Sequence, residues 1–415
     1  MDQKLHARES GSLEAVINSL LLNSLSIEFM SFNQGNSLFV GTPNIGNQDV
    51  FLSRTVDALK RRWLSNNGKY AQEFEAAVSK FLGVKHCIAM CNATVGLEIA
   101  IRSLGLSGEV IVPSFTFIAT AHALQWQEIT PVFCDIDPVT HNIDPAKVEA
   151  LITPRTTAIM GVHLWGRGCD VEALQRIADK HGLKLLFDAA HAFGCSHNGQ
   201  MTGGFGNVEV FSFHATKFIN SFEGGMVTTN DDELALRLRR VTNFGFSGYD
   251  QVDCIGTNGK MNEISAAMGL TNLESIDEFI AINRAHHRRY QELLDGLPGL
   301  SVMPYGEAER GNYQYVVIEI ESDIAGISRD LLVSRLHEQG VIARRYFYPG
   351  CHRMEPYRTL YPLAGNHLPE TERLTQRLFC LPTGSALTEN DVESVCHIIG
   401  NIMSEARNGA GTREP

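Results

Sequence analysis

The chain has 415 residues, 44% of them hydrophobic and 20% charged, and a formal net charge of −12. That apolar content supports one large and one smaller domain, and an acidic balance without a lysine-arginine cluster argues against nucleic acid as a partner. Apolar stretches are shorter than the run of about 18 residues expected of a membrane span, and the nine cysteines, odd in number and without a C-x-x-C pair, read as reduced thiols of a cytoplasmic protein with no metal site.

Residues 1–48 read as an N-terminal extension. Leu13, Val16, Ile17, Leu20, Leu21 and Leu25 recur at helical spacing, but polar Asn18, Ser19, Asn23 and Ser24 interrupt them. No small-residue cleavage site follows, so this is a poor signal peptide. The expectation is an amphipathic helix on the body or on a partner, or an extension upstream of a start at Met30, with loose packing or disorder for most of it.

From Val50 the pattern alternates. Residues 50–64 and 69–82 read as helices around the turn segment Ser65-Asn-Asn-Gly68. Strands are predicted near 87–90, 109–112, 129–135, 157–164, 183–188, 208–213 and 224–229, with helical patterns between many of them. Such alternation predicts an α/β fold, a mostly parallel seven-stranded sheet sandwiched by helices, with its site at the strand ends. A long helix over 263–294 then leads to strands at 313–321 and 341–346 around a helix at 329–339, a smaller C-terminal α+β domain. The division is 49–275 for the large domain, 276–408 for the small one and 409–415 for a polar tail.

The chemistry concentrates at three strand ends. After the strand at 87–90, Cys91-Asn-Ala-Thr-Val-Gly-Leu-Glu98 opens a helix, and the small Ala93 and Thr94 leave backbone N–H groups free to meet a phosphate, assisted by the helix dipole. Asp188 ends the apolar run Leu183-Lys-Leu-Leu-Phe-Asp188, and a buried carboxylate there needs a cationic partner. Lys217 follows the apolar strand 208–213, with Ser212 five residues before it and Gly224-Gly225 after it. A lysine that can condense with an aldehyde, a carboxylate for a pyridinium nitrogen and a hydroxyl for phosphate together answer the demands of pyridoxal phosphate. His191, three residues past Asp188, is expected near the ring's phenolic oxygen. Singly, each of these has an ordinary structural reading, as a surface lysine, a helix cap or a core histidine; their order and strand context carry the inference.

These motifs resemble the pyridoxal-phosphate-dependent nucleotide-sugar aminotransferases of the DegT/StrS group, within fold type I, over residues 50–399. The resemblance implies that Lys217 forms the Schiff base and Asp188 partners the pyridine nitrogen, that Ser212 and the segment Asn92-Ala93-Thr94 bind phosphate, and that Phe117, in Pro113-Ser-Phe-Thr-Phe-Ile-Ala-Thr120, stacks on the ring. It also implies that Asn258 reaches the phosphate of a neighbouring subunit, which requires a homodimer with shared sites, and that Tyr348 and His352 border the sugar pocket. The expected substrate is dTDP-4-keto-6-deoxy-D-glucose, aminated at C4 with L-glutamate as donor through pyridoxamine phosphate, in deoxyaminosugar biosynthesis. A C3 aminotransferase is the alternative. Related dehydratases carry histidine at the lysine position, whereas Lys217 is present here. A non-catalytic regulator that binds the cofactor is the alternative of another class, and a dinucleotide oxidoreductase is excluded because Gly166-Arg-Gly168 and Gly204-Phe-Gly206 lack the third glycine and its context.

Overall fold

In the computed structural model, which describes residues 37–410, a short strand, β1 (Leu38–Phe39), precedes two helices, α1 (Gln48–Arg61) and α2 (Lys69–Leu82). Asn47 starts α1 by accepting the N–H groups of Asp49 and Val50 on its side chain. Seven apolar runs then become strands: β2 (His86–Met90), β3 (Glu109–Pro113), β4 (Thr130–Cys134), β5 (Thr156–Val162), β6 (Lys184–Asp188), β7 (Val208–Ser212) and β8 (Gly225–Thr229). They form one sheet in the order β2-β8-β7-β6-β5-β3-β4. β8 runs antiparallel to both of its neighbours, and the remaining pairs are parallel.

The strands read as unbroken apolar runs because both faces of the sheet are covered. Along β3, Val110 and Val112 enter one core with Leu97 and Ile101, while Ile111 between them enters another with Leu174 and Ala178. The helices that supply those partners are α3 (Ala93–Leu104) and α5 (Val171–His181); α4 (Ile118–Gln125) and α6 (Asp232–Thr242) complete the cover of the first face. Each fully buried valine or isoleucine stabilises the fold by roughly 1.5–3 kcal/mol relative to exposure.

The expected helix over 263–294 is two helices, α7 (Glu263–Glu274) and α8 (Ile276–Leu294). Ser275 leaves the regular ladder and closes its N–H onto Asn272 O at 3.1 Å, so apolar periodicity continues across a break that it does not reveal. Beyond α8, β9 (Leu300–Val302), β10 (Val316–Ile320) and a last strand, Leu378–Leu381, form a three-stranded antiparallel sheet. Between β10 and that strand lie α9 (Arg329–Glu338) and β11 (Val341–Ile342). The strand expected over 341–346 stops at Ile342 because Ala343 turns back onto Val341 O and Arg344 crosses to Cys380.

Leu38 and Phe39 pair in parallel with Val341 and Ile342, and Asn44 is buried, so the part of the expected extension from residue 38 onward is packed. The helical pattern expected between Ser12 and Met30 lies outside the described residues. The final helix runs over Glu389–Ala410, and the remainder of the expected tail lies outside them too. No helix among the described residues is long and apolar enough to cross a membrane.

Candidate active site

Asp188 ends β6 and is buried. Its Oδ2 accepts from Thr120 Oγ1 at 2.8 Å and its Oδ1 from Ala190 N at 3.1 Å. Burial pushes its carboxyl above the ordinary value, although Thr120, Ala190 and the nearby Lys217 pull the other way. No lysine or arginine forms a salt bridge with it among the described residues. A buried carboxylate in this state fits a cationic ring nitrogen, which would relieve its burial.

Lys217 stands five residues past the end of β7 at Ser212. Its N–H donates to His214 O at 2.8 Å, and His214 Nδ1 lies 2.8 Å from Thr216 Oγ1, so a tight turn presents the side chain. Burial lowers its pKa to about 8, with Asp188 opposing the shift. A depressed amine near neutral pH is the form able to attack an aldehyde. It borders a cavity lined by Val40, Gly41, Thr42 and Asn44 from the N-terminal segment, by Gln314, Tyr315 and Tyr346, and by Asn283, Thr383 and Gly384.

Two glycines let β8 close this region. A Cβ on Gly224 would sit 2.0 Å from Ser221 Oγ. One on Gly225 would sit 2.8 Å from Ala93 N, and Gly225 pairs with Ser212. Ser212 and the first amide of α3 are therefore brought together by a strand that only glycine allows so close. Asn92 caps α3 through the Val95 N–H at 2.9 Å, while the amides of Ala93 and Thr94 precede the intrahelical ladder. Together they form a cradle suited to an anionic phosphate.

His191 is buried against Trp165, Tyr315 and Phe347. Its Nδ1 accepts from Trp165 N at 3.3 Å, and burial, reinforced by Lys217, holds its pKa well below the ordinary value. The neutral ring thus carries its proton on Nε2, a donor able to meet an anionic oxygen. Phe117 is the N-cap residue of α4 and is 56% exposed, a flat ring left uncovered one turn before Thr120.

Of the expected site residues only Lys217 lines that cavity, and three of the others sit in settings of their own. Asn258 is exposed, in a segment tied to the end of β2 by Cys91 N donating to Gly259 O at 2.7 Å; its expected role requires a second copy of the chain. His352, expected at the sugar pocket, is buried, with Ser114 Oγ 2.6 Å from Nδ1 and Glu372 Oε1 2.7 Å from Nε2. Both ring nitrogens are committed, so it is a structural link and not a free contact. Tyr348 lies beside the guanidinium groups of Arg329 and Arg345, at 5.1 and 5.0 Å, and does not line the cavity. Conversely, the sequence reading did not single out Thr120, Asn44 or Gln314. Only a hydroxyl one helical turn past Phe117 hinted at the first, and nothing local marks the other two.

The fold and this set of side chains define a pyridoxal-phosphate-dependent aminotransferase. The model of the DegT/DnrJ/EryC1/StrS aminotransferase family matches residues 47–400, and the chain belongs to that family. It is 36% identical to a dTDP-4-amino-4,6-dideoxy-D-glucose transaminase of Escherichia coli over 87% of this chain and 97% of the relative. A GDP-perosamine synthase of Caulobacter vibrioides is also 36% identical, over 88% and 98%. Among solved structures, DesI in the presence of its TDP-sugar product superposes with a TM-score of 0.86 at 47% identity, covering 91% of this chain and 96% of that one. The protein is a nucleotide-sugar aminotransferase, and its cofactor is pyridoxal phosphate.

Proposed function

We propose that the chain transfers an amino group from L-glutamate to C4 of dTDP-4-keto-6-deoxy-D-glucose. The observation that carries this reading is the 47% identity, over most of both chains, to a structure solved with a TDP-sugar product. The sequence block from Ser212 to Lys217 with Phe222-Glu-Gly-Gly225 supports amination at C4 over C3. The 36% identity to a GDP-perosamine synthase, equal to that to the Escherichia coli dTDP-sugar transaminase, makes a GDP-linked sugar the second reading.

Pyridoxal phosphate, when bound, supplies an aldehyde for amine exchange and an electron-withdrawing ring. In this reading Lys217 is the amine that holds it, and once released Nζ takes a proton and returns it, aided by a pKa near 8. Asp188, oriented by Thr120, would pair with the ring nitrogen and favour its protonated form. Ser212 and the amides of Ala93 and Thr94 would hold its phosphate, Phe117 would pack against its ring, and His191 would offer a donor from Nε2.

Asn258 completes the phosphate site of a partner copy in this reading. Exposed apolar side chains support a homodimer: Phe246, Tyr249, Val252 and Ile255 near Asn258 in the chain, Leu52, Val56 and Leu59 along one face of α1, and Trp63 just past its end. Borohydride reduction followed by peptide mapping should label Lys217, and label on another lysine would reject the assignment. A panel of dTDP-, GDP- and UDP-linked 3- and 4-keto sugars with glutamate, read by product mass and NMR, decides the substrate. Product from a 3-keto sugar alone would overturn C4.

A further inference from the structure

Five buried side-chain atoms among the described residues meet no hydrogen-bond partner: Ser103 Oγ, His163 Nε2, Glu209 Oε2, Gln314 Oε1 and Arg329 Nη2. His163 Nε2 and Glu209 Oε2 face one another at 3.3 Å, and the Arg329 guanidinium lies against the Tyr348 ring. Of the five residues, only Gln314 lines the cavity that holds Lys217.

The orientation of this amide is fixed by its neighbours. Gln314 Nε2 donates to Thr216 O at 2.7 Å. A carbonyl can only accept, so the nitrogen must face Thr216 and the oxygen must face away from it. The backbone is held as well: Gln314 N donates to Asn312 Oδ1 at 3.1 Å, and Asn312 Nδ2 is committed to His191 O and Phe193 O. Gln314 thus carries an unmet acceptor on a residue that borders the same cavity as Lys217, where a ligand N–H or O–H would satisfy it.

We propose that Gln314 Oε1 is a further substrate contact, accepting a hydrogen bond from a ring hydroxyl of the keto sugar. The inference rests on the nucleotide-sugar reading above. Apart from Lys217, the cavity wall carries uncharged groups such as Thr42, Asn44, Tyr315 and Thr383, which suits a hydroxylated ring. An acceptor oxygen repels the carboxylates of an amino donor, so the sugar is the favoured source of the hydrogen.

The two half reactions of the cofactor-loaded enzyme, followed separately by stopped-flow absorbance, test this. Gln314→Leu should slow the keto-sugar half reaction roughly 10- to 100-fold and leave the glutamate half reaction within about 2-fold. Sugars lacking one ring hydroxyl at a time supply a thermodynamic cycle. The analogue missing the contacted hydroxyl should lose rate with the wild type and lose little more with Gln314→Leu. Equal slowing of both half reactions, with a shifted pH titration of the lysine–cofactor absorbance, would mean that Gln314 only anchors the Lys217 turn, and the contact would be overturned. Slowing of the glutamate half reaction alone would place the donor's ammonium there instead, which also overturns it. A wild-type enzyme that turns over no keto sugar rejects the substrate reading itself, a failure distinct from the other two.

Discussion

Asp135 and Asp188 are both buried at the carboxyl ends of strands in the same sheet, yet their surroundings differ. The Asp135 carboxylate receives Lys147 Nζ at 2.9 Å, Glu370 N at 3.0 Å, and both Thr371 N and Thr371 Oγ1 at 2.8 Å. Burial alone would raise its pKa, but these donors hold it below the ordinary carboxylate value. Asp188 has two donors and no salt bridge, and burial prevails. The two positions of His follow the same division: His352 is engaged at both nitrogens, while His191 keeps Nε2 for another acceptor. A buried polar cluster that is saturated fastens the fold, whereas one left short of partners is ready for a ligand.

The largest expected effect lies on the unsaturated side. Lys217→Ala should lower turnover on the order of 10⁴-fold with little change in melting temperature of the cofactor-free protein, and steady-state assay beside calorimetry checks both. Next come the paired carboxylate variants, compared without cofactor by chemical denaturation. Asp135→Asn should lose about 3 kcal/mol because its donors lose their charge partner, and Asp188→Asn should be neutral or stabilising, since it removes a carboxylate that burial penalises. A loss for Asp188→Asn equal to that for Asp135→Asn would erase the distinction.

His352→Gln should cost roughly 1–2 kcal/mol of stability and leave the KM for the sugar unchanged; a raised KM would restore His352 to the sugar pocket. The mildest effects are in pH. Asp135 has a depressed folded pKa, so its contribution is present above the ordinary value of 3.8 and is lost as the pH falls through the lower folded value. Asp188 has a raised one, so the folded state loses stability as pH rises from the ordinary 3.8 towards the folded value, and no more above it. Covalent capture of the cofactor by the cofactor-free protein should speed up as pH rises through about 8, where Lys217 loses its proton, and then level off; a rate insensitive to pH from 6 to 9 would contradict the buried-amine account.

The seven strands were legible within a residue or two, because a sheet covered on both faces requires continuous apolar runs, as at Val110-Ile-Val112 and Leu185-Leu-Phe187. That Asp188 and Ser212 end strands and Lys217 follows one was legible because the ends of such strands are easily located once the runs are found. Ser275 was not, because the residues on either side of the break are apolar at helical spacing. Asn44 and Gln314 were not, since each acts on the lysine turn from far along the chain: Asn44 Nδ2 donates to Phe218 O at 3.0 Å, and Gln314 Nε2 to Thr216 O. No local pattern encodes a partner more than ninety positions away.

What the sequence determined by itself was the set of chemical groups and the strand ends that carry them, since burial periodicity and residue type are local properties written in the order of the chain. Which of those groups are satisfied, and which wait for a ligand, depends on donors delivered by distant segments. His352 and Gln314 show it: one was expected at the sugar pocket and is engaged on both nitrogens, and the other, passed over, holds an orphan acceptor. Hydrogen-bond saturation is a count over three-dimensional neighbours, and only tertiary packing supplies those neighbours.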